Sequence, residues 1–260
     1  IDNRSYPPAT SQQIPPKWNW EGLKGSDVTL PYLFRKAGYQ TIHVGKAHFA
    51  PKDREGENPL NLGFDVNVAG TCFGAPGSYY GTRSFGVGSK NLHARPVPHL
   101  EKYHGQNIFL TEALTLEAKA EIDKAVNASK PFFLHMSHYA VHSPFQSDPR
   151  FAKNYQGKSP SLMAYATMIE GMDKSLGDLM DHIETKGVAE NTLIIFLGDN
   201  GGDAPDKDLD GISSCAPLRG RKGAKWEGGI RVPFIASWGK MNLGNAFQKD
   251  NPIVPNSMRQ

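Results

Sequence analysis

Cysteine is scarce in this sequence of 260 residues, which contains only Cys72 and Cys215. Two cysteines cannot form the disulfide framework of a small secreted domain, and they are too few to indicate a redox compartment. Long apolar runs are also missing, since no stretch approaches the roughly 18 apolar residues of a membrane-spanning helix. We therefore expect neither a disulfide-held miniprotein nor a membrane span.

An excess of one charge is missing as well, because 29 basic residues stand against 26 acidic ones and the net charge is +3. Proteins that bind nucleic acids usually have a much larger basic excess, so we expect no nucleic-acid partner. The hydrophobic content of 38% is ordinary and allows a large core. Glycine and proline are abundant, with 27 and 19 residues, which indicates many turns.

Helical and extended patterns alternate along the chain. Three helices are predicted, at 27–36 with Asp27 as the N-cap, at 111–127 and at 161–186. Four strands are predicted, at 39–44, 131–137, 191–197 and 231–237. Three of these strands are almost continuously apolar, so we expect buried strands of a largely parallel sheet sandwiched by helices, an α/β fold.

The predicted helix over 161–186 has the clearest pattern. Its apolar residues follow alternating steps of three and four, at Leu162, Tyr165, Ile169, Met172, Leu176, Leu179 and Ile183. We expect this stripe to face the core. The segment 46–107 has no periodic pattern and is rich in glycine and aromatic residues, which is typical of a functional or mobile loop.

Ligands of such sheets bind beyond the carboxyl ends of the strands, so the residues there are the candidates for a site. Lys46 and His48 follow the first strand, and in extended backbone their side chains point to the same side. A lysine and a histidine placed together suit an anionic substrate. The same pair is also compatible with a solvated lysine and a loop histidine.

Two further strand ends have polar residues. His142 lies beyond the second strand, whereas His135 and His138 on that strand would face opposite sides and are interpreted as core or edge residues. Asp199 and Asn200 directly follow the third strand, in GDNGG. Their side chains have the oxygen ligands that Ca²⁺ or Mg²⁺ prefers, so we predict a pair of divalent-cation ligands there.

A basic segment, RGRKGAK at 219–225, precedes the last strand and includes Lys222. Four cations in seven residues are typical of a surface patch that binds nucleic acid or sulfated sugar. The interleaved glycines instead favour a backbone held close to a small ligand.

Taken in order, these segments resemble the type I, formylglycine-dependent sulfatases of the alkaline-phosphatase-like superfamily. The matching pieces are GKAHFA at 45–50, HYAVHSPF at 138–145, NTLIIFLGDNGG at 191–202 and LRGRKGAKWEGGIRVPF at 218–234. The resemblance covers nearly the whole chain. It implies an alkaline-phosphatase-like core and the hydrolysis of sulfate esters of a sugar or an aryl group.

The resemblance also implies roles for single residues. Lys46, His48 and Lys222 would bind the sulfate, and His142 would protonate or hydrogen-bond the leaving-group oxygen. Cations at these positions stabilise the charge that develops on the oxygens of a sulfate ester during hydrolysis. The implied partner is a sulfated small molecule or glycan. Two ligands of a divalent cation, Ca²⁺ or Mg²⁺, would be Asp199 and Asn200.

The sequence departs from the family pattern ahead of Lys46. Family members have paired aspartates there and a Cys (or Ser)-x-Pro-x-Arg segment whose first residue becomes the formylglycine nucleophile. We therefore expect residues 1–260 to be a partial sulfatase catalytic domain, a fragment that lacks the nucleophile segment and the C-terminal region and is inactive alone. Cys215 begins CAPLR, but in family order this stretch leads into the lysine loop, so we interpret both cysteines as ordinary thiols.

Two physical consequences follow from an incomplete domain. Ca²⁺ requires about six to eight oxygen ligands, so two protein ligands should bind metal weakly or not at all. A missing strand would leave an exposed sheet edge, through which we expect the fragment to self-associate.

Two alternative functions remain open at this point. A phosphodiesterase or phosphonate hydrolase of the same superfamily would use similar lysine and histidine residues. A noncatalytic protein would bind sulfated glycan through the RGRKGAK segment. The residues do not identify a compartment, and the family alone points to an exported protein, whether periplasmic, secreted or lysosomal.

Overall fold

Three parallel strands form the larger sheet of the computed structural model, which describes residues 21–88, 95–203, 215–242, 244 and 249–250. The strands, in the order β2-β1-β3, are β1 at Gln40–Gly45, β2 at Val66–Val68 and β3 at Phe132–Ser137. Ile42 of β1 pairs with Val66 on one side and with Leu134 on the other. The strands predicted at 39–44 and 131–137 are confirmed, whereas β2 lies in the segment where no element was predicted.

Three long or medium helices accompany this sheet, namely α1 at Leu30–Lys36, α2 at Leu110–Asn127 and α3 at Pro160–Thr185. All three were predicted, but the N-cap assigned to the first was wrong. Thr29 is the N-cap of α1, because its hydroxyl accepts a hydrogen bond from the Tyr32 N–H. The carboxylate of Asp27 instead accepts one from the Lys24 N–H.

The packing of α2 against α3 depends on small side chains. On α2, the apolar residues Leu114, Ala118 and Ile122 follow helical spacing and are buried. On α3 the predicted stripe was only partly right. Ile183 is buried and Leu179 packs against the core, but Ile169 is 43% exposed, and the other buried residues are Ala164, Thr167, Met168, Gly171 and Ser175. The hydroxyl oxygens of Thr115 and Ser175 lie 2.6 Å apart, so short side chains let the helices approach and leave the larger ones beside the contact.

The last two strands form a separate antiparallel pair, with β4 at Leu193–Leu197 and β5 at Phe234–Trp238. The short helix α4 at Glu227–Ile230 comes between them. The prediction of a buried parallel strand at 191–197 was wrong in both respects. The side chains of Ile195 and Phe234 are 53% and 59% exposed, although their apolar character on both faces is typical of a strand covered on two sides.

The main core lies between β1 and α2. It extends beneath residues 69–88 and 95–109, which form the rim loop. Tyr79, Phe85 and Leu100 of this loop are fully buried in the same cluster as Ile42 and Leu114. The loop is therefore packed, although its sequence has no periodic pattern. Of the helices that the structure describes, none has both the length and the apolar character needed to cross a membrane.

Candidate functional site

Lys46 is held by the end of β1. Gly45 has a φ of +105°, and a Cβ at this position would overlap the carbonyl oxygen of Ser137, so the turn requires glycine. The N–H of Lys46 donates to that oxygen over 2.7 Å. The Lys46 Nζ atom lies 3.9 Å from Oδ2 of Asp199, which brings the carboxyl end of β1 to the turn after β4.

Asp199 and Asn200 occupy this turn, and the turn is fixed against α4. The Gly201 N–H donates to the carbonyl oxygen of Gly229 over 2.9 Å, and a Cβ on Gly201 would overlap the carbonyl group of Gly228. The Asn200 Nδ2 atom donates to the Gly201 carbonyl oxygen over 2.8 Å, which leaves Oδ1 as the acceptor of that amide. The Asp199 side chain is 77% exposed, so its carboxylate is accessible from solvent.

Lys222 is fixed to the same turn. Its N–H donates to the carbonyl oxygen of Gly202 over 3.1 Å, and its Nζ atom lies 3.4 Å from Oδ2 of Asp203. Sequence reasoning missed Asp203, although it directly follows GDNGG. Lys46 and Lys222 therefore each face one carboxylate of the 199–203 turn.

His142 ends a tight turn beyond β3. Its N–H donates to the carbonyl oxygen of Tyr139 over 2.9 Å, and its Nδ1 atom lies 3.0 Å from the carbonyl oxygen of Ser143. A carbonyl oxygen only accepts, so this contact assigns the proton of the neutral ring to Nδ1. The Nε2 atom is then the acceptor, and it would receive the second proton.

The charges around His142 act on one another. Burial is the largest cause that lowers the pKa of His142, the hydrogen bond to Ser143 opposes it, and the charges of Lys222, Lys46 and Arg95 lower it further. Burial also lowers the pKa of Lys46, with Lys222 adding to the effect and Asp199 opposing it. The two lysines and His142 thus share one electropositive site. The charge of Arg95, from the rim loop, adds a smaller effect on His142 and had no sequence signal.

The backbone at His48 is not extended, as the predicted same-side arrangement with Lys46 assumed. The same-side argument requires extended backbone from Lys46 to His48, but β1 ends at Gly45 and His48 has a φ of +57°. The His48 N–H donates to the carbonyl oxygen of Thr71 over 2.9 Å. Its ring lies against Gly74, where a Cβ would overlap the imidazole. His48 is therefore placed against the rim loop.

Of the other histidines, His43 is fully buried, whereas His135 and His138 are half-buried. His135 pairs with His43 through Nδ1 atoms 3.1 Å apart, and His43 donates from Nε2 to the carbonyl oxygen of Gly45 over 3.0 Å. The Nδ1 atom of His138 is buried and has no hydrogen-bond partner among the described residues. Cys215 is a buried thiol outside any disulfide, and its Sγ atom accepts a hydrogen bond from the Gly202 N–H over 3.1 Å.

The residues of the 199–203 turn match a hard cation in kind but not in number. Asp199 and Asn200 have oxygen donors, as Ca²⁺ or Mg²⁺ requires. Even with the carboxylate of Asp203, which faces Lys222, these residues supply fewer ligands than the about six to eight oxygens around Ca²⁺. Within the described ranges, no three His, Cys, Asp or Glu side chains come together to hold a metal ion.

Comparison with known proteins gives a match to a family described as Sulfatase over residues 3–257. Arylsulfatase J from Mus musculus is 33% identical over 217 residues, which cover 81% of this chain and 34% of the relative. N-acetylgalactosamine-6-sulfatase from Homo sapiens is 28% identical over 242 residues, which cover 90% and 44%. The chain spans about a third to a half of the length of the curated relatives it matches.

Solved structures with a similar fold include Ps i-CgsB in complex with k-i-k-neocarrahexaose, with a TM-score of 0.69 at 28% identity over 87% of this chain and 51% of that one. The PsFucS1 sulfatase from Pseudoalteromonas sp. has a TM-score of 0.60 at 30% identity, over 86% and 47%. These similarities confirm the predicted α/β fold class.

Proposed function

This chain belongs to the sulfatase family, and on that premise we propose that it forms the anion-binding part of a partial catalytic domain that hydrolyses sulfate esters. One observation carries the proposal. The approach of Lys46 to within 3.9 Å of Asp199 brings the ends of both sheets to one site. Cations and oxygen ligands at a common site are what an anionic ester requires.

Two lysines would bind the sulfate group. Burial lowers the pKa of Lys46, so its ammonium group is poorly solvated and gains from an anionic partner. Lys222 would bind a second oxygen, with His48 contributing from the side of the rim loop. The reaction R–O–SO₃⁻ + H₂O → R–OH + HSO₄⁻ develops negative charge on the sulfate and leaving-group oxygens, and these cations would stabilise it.

His142 would donate the proton to the leaving-group oxygen. Because Nδ1 is engaged with Ser143, the transferable proton would be carried on Nε2. Burial and the nearby lysines lower the pKa of His142 in the absence of substrate. A bound sulfate would offset the lysine charges and raise this pKa, so substrate binding would favour the acid form of the ring.

The sulfatase family typically uses a divalent cation, and Asp199 and Asn200 would hold it here, as Ca²⁺ or Mg²⁺. When bound, the cation would stabilise negative charge on the sulfate oxygens. The exposed Asp199 carboxylate is accessible for this role.

A sulfated sugar is the proposed substrate class. Similar proteins support it, since one relative is named N-acetylgalactosamine-6-sulfatase and one structural neighbour is in complex with k-i-k-neocarrahexaose. The exposed basic residues beside Lys222 add a second line of support. Among them, the Arg219 guanidinium is held 3.8 Å above the centre of the Trp226 ring, where it could meet a further anionic group.

Self-association through a sheet edge is proposed as well. In the described part of the chain β4 pairs with β5 alone, and the side chains of Ile195 and Phe234 are more than half exposed. An apolar strand with one unpaired edge can accept a strand from a second copy.

Turnover of an aryl sulfate and of an aryl phosphodiester by the full-length protein that includes residues 1–260 tests the proposed activity. We expect the sulfate to be cleaved and Lys222→Ala to lower kcat/KM by about 100-fold or more, the scale of one lost oxyanion contact. Lys174→Ala, which removes only a lysine paired with Asp178 on α3, is the control. Preference for the phosphodiester would favour a phosphodiesterase, and binding of sulfated glycan without turnover would favour a noncatalytic protein.

A further inference from the structure

We propose that Tyr79 is a positioning residue that fixes His142 in the site. Tyr79 belongs to the rim loop, and its side chain is fully buried. Its hydroxyl group lies 2.7 Å from the carbonyl oxygen of Tyr139 and 2.8 Å from that of His142. The inference rests on the proposed function, because it assigns Tyr79 a role toward the proposed proton donor.

The hydroxyl group of Tyr79 closes the turn that ends in His142. The His142 N–H donates to the Tyr139 carbonyl oxygen, so these two residues are the first and last of one turn. The single proton of the Tyr79 hydroxyl is shared between the carbonyl oxygens of both. A shift of the His142 backbone away from the site would break this contact, and a partly buried carbonyl oxygen that loses its donor has an energetic cost.

Tyr79 is itself rigidly held. Its N–H donates to Oε1 of Gln146 over 2.7 Å, and its carbonyl oxygen accepts from the N–H of Leu110 over 2.8 Å. The Tyr79 ring stacks on that of Phe109, with centroids 5.3 Å apart. These contacts hold the Tyr79 hydroxyl oxygen in place. The rim loop therefore determines where the His142 turn lies.

The first residue of the turn has an attachment of its own. The Tyr139 hydroxyl group donates to the carbonyl oxygen of Ala69 over 2.8 Å. Loss of the Tyr79 hydroxyl group should therefore leave the turn attached at Tyr139 and release it at His142. The expected defect is local, because the Tyr79 ring and its backbone contacts would remain.

The test compares Tyr79→Phe with Tyr80→Phe. Tyr80 is a matched control, since its hydroxyl group also donates to a backbone carbonyl oxygen, that of Ser147 over 2.9 Å, in the next part of the same segment. Histidine ring resonances of the 260-residue chain are followed by NMR across pH, with and without inorganic sulfate. The His142 resonance is assigned by its loss in His142→Gln.

In the unaltered chain and in Tyr80→Phe, sulfate should raise the pKa of His142. In Tyr79→Phe the rise should be no more than half as large, and the pKa without sulfate should lie nearer its ordinary value of 6.5. If the Tyr79 hydroxyl group contributed only to stability, the variants could be less stable, but His142 would have the same pKa and the same response to sulfate in both. Equal His142 titrations in the two phenylalanine variants would overturn the proposal.

Two further outcomes remain decisive. If sulfate changes the pKa of His142 in none of the proteins, the proposed sulfate site fails, and the anion-free pKa alone then decides the role of Tyr79. If Tyr79→Phe does not fold, the Tyr79 hydroxyl proton is observed in the unaltered chain. It should show a nuclear Overhauser effect to the His142 turn and respond to sulfate with the same midpoint as the His142 ring. A hydroxyl proton that does not respond while the ring does would overturn the proposal.

Discussion

The Lys46 Nζ atom lies 3.9 Å from the Oδ2 atom of Asp199, and this ion pair connects the parallel sheet to the antiparallel pair. Lys46 follows β1 and Asp199 follows β4. At this distance, and with the carboxylate largely exposed, the pair contributes little to stability. Because the ion pair is weak, Lys46 can leave Asp199 and bind a substrate anion at little energetic cost.

Replacement of this lysine should weaken anion binding. We expect Lys46→Gln to raise the Kd for inorganic sulfate by about tenfold or more, because a hydrogen bond to a charged group is worth about 1.5–3 kcal/mol. Isothermal titration calorimetry on the 260-residue chain measures this. Lys36→Gln, in the last turn of α1, is the control and should bind sulfate normally. Equal affinities for the two variants would exclude Lys46 from the anion site.

The charge of Lys222 should be detectable at His142. Since Lys222 lowers the pKa of His142, Lys222→Met should raise that pKa toward 6.5. The protonated fraction of the ring at pH 6 should increase accordingly. NMR titration of the His142 ring measures the change, and Lys240→Met, which removes a lysine paired with Glu184, should leave it unaltered. An unchanged or lower pKa in Lys222→Met would contradict the shared site.

Stability should fall in mild acid because histidines are buried in the neutral form. Burial lowers the pKa of His138 to about 4, and burial together with the charge of His135 lowers that of His43 to about 3. Both pKa values lie below the ordinary histidine value of 6.5. Between that value and the lowered pKa of each histidine, the unfolded chain therefore binds more protons than the folded one. The stabilising contribution is therefore present above pH 6.5 and is lost as the pH falls.

Urea unfolding at pH 7, 6 and 5 measures this loss. The free energy of unfolding should fall by up to about 1.4 kcal/mol per pH unit for each such histidine. His138→Phe removes one of them, together with a buried Nδ1 atom that lacks a partner in the described ranges. Its profile should be less steep by about one proton. An equally steep profile would show that His138 is not buried in the neutral form.

The exposed β4–β5 pair should cause association. We expect the chain to sediment as a dimer or larger species at micromolar concentration, and Ile195→Lys to weaken the association at least about tenfold, since burial of such a side chain is worth about 1.5–3 kcal/mol. Val28→Lys alters another apolar residue, 73% exposed and outside this pair of strands, and should have no effect. A stable monomer by sedimentation velocity would contradict the proposed association.

Calcium should stabilise this chain little. The two proposed ligands, Asp199 and Asn200, leave most of the coordination sphere to water, so we expect a Kd above the millimolar range and a thermal shift below about 1 °C at 1 mM Ca²⁺. Thermal unfolding over a Ca²⁺ series measures the shift, and Asp199→Asn should behave in the same way as the unaltered chain. Strong saturable stabilisation that disappears in Asp199→Asn would show a complete site.

Patterns that depend on neighbouring residues were predicted well. The spacing of Leu114, Ala118 and Ile122 fits a helical turn, and these residues are buried on α2. The buried face of α3 was predicted only in part, at Ile183 and Leu179, because hydrophobicity alone favours large side chains. Close approach to α2 instead selected small residues such as Gly171 and Ser175.

The position of His48 shows a second limit. Its predicted direction depended on extended backbone, and the left-handed φ of +57° after the end of β1 changes it. The burial of β4 was also overestimated, because an apolar run indicates that a strand can be buried and not that a neighbour covers it. Nothing in the described part of the chain covers Ile195, which is 53% exposed.

The sequence by itself determined the alternation of helices and strands and the polar residues that follow the strands, since both depend on local periodicity and turn chemistry. Only the tertiary structure decided which of these strand ends meet. The contact between Lys46 and Asp199, the charge of Arg95 near His142 and the hydroxyl group of Tyr79 on the His142 turn are of this kind. They join residues that are far apart along the chain, and the spacing of neighbouring residues does not predict such long-range contacts.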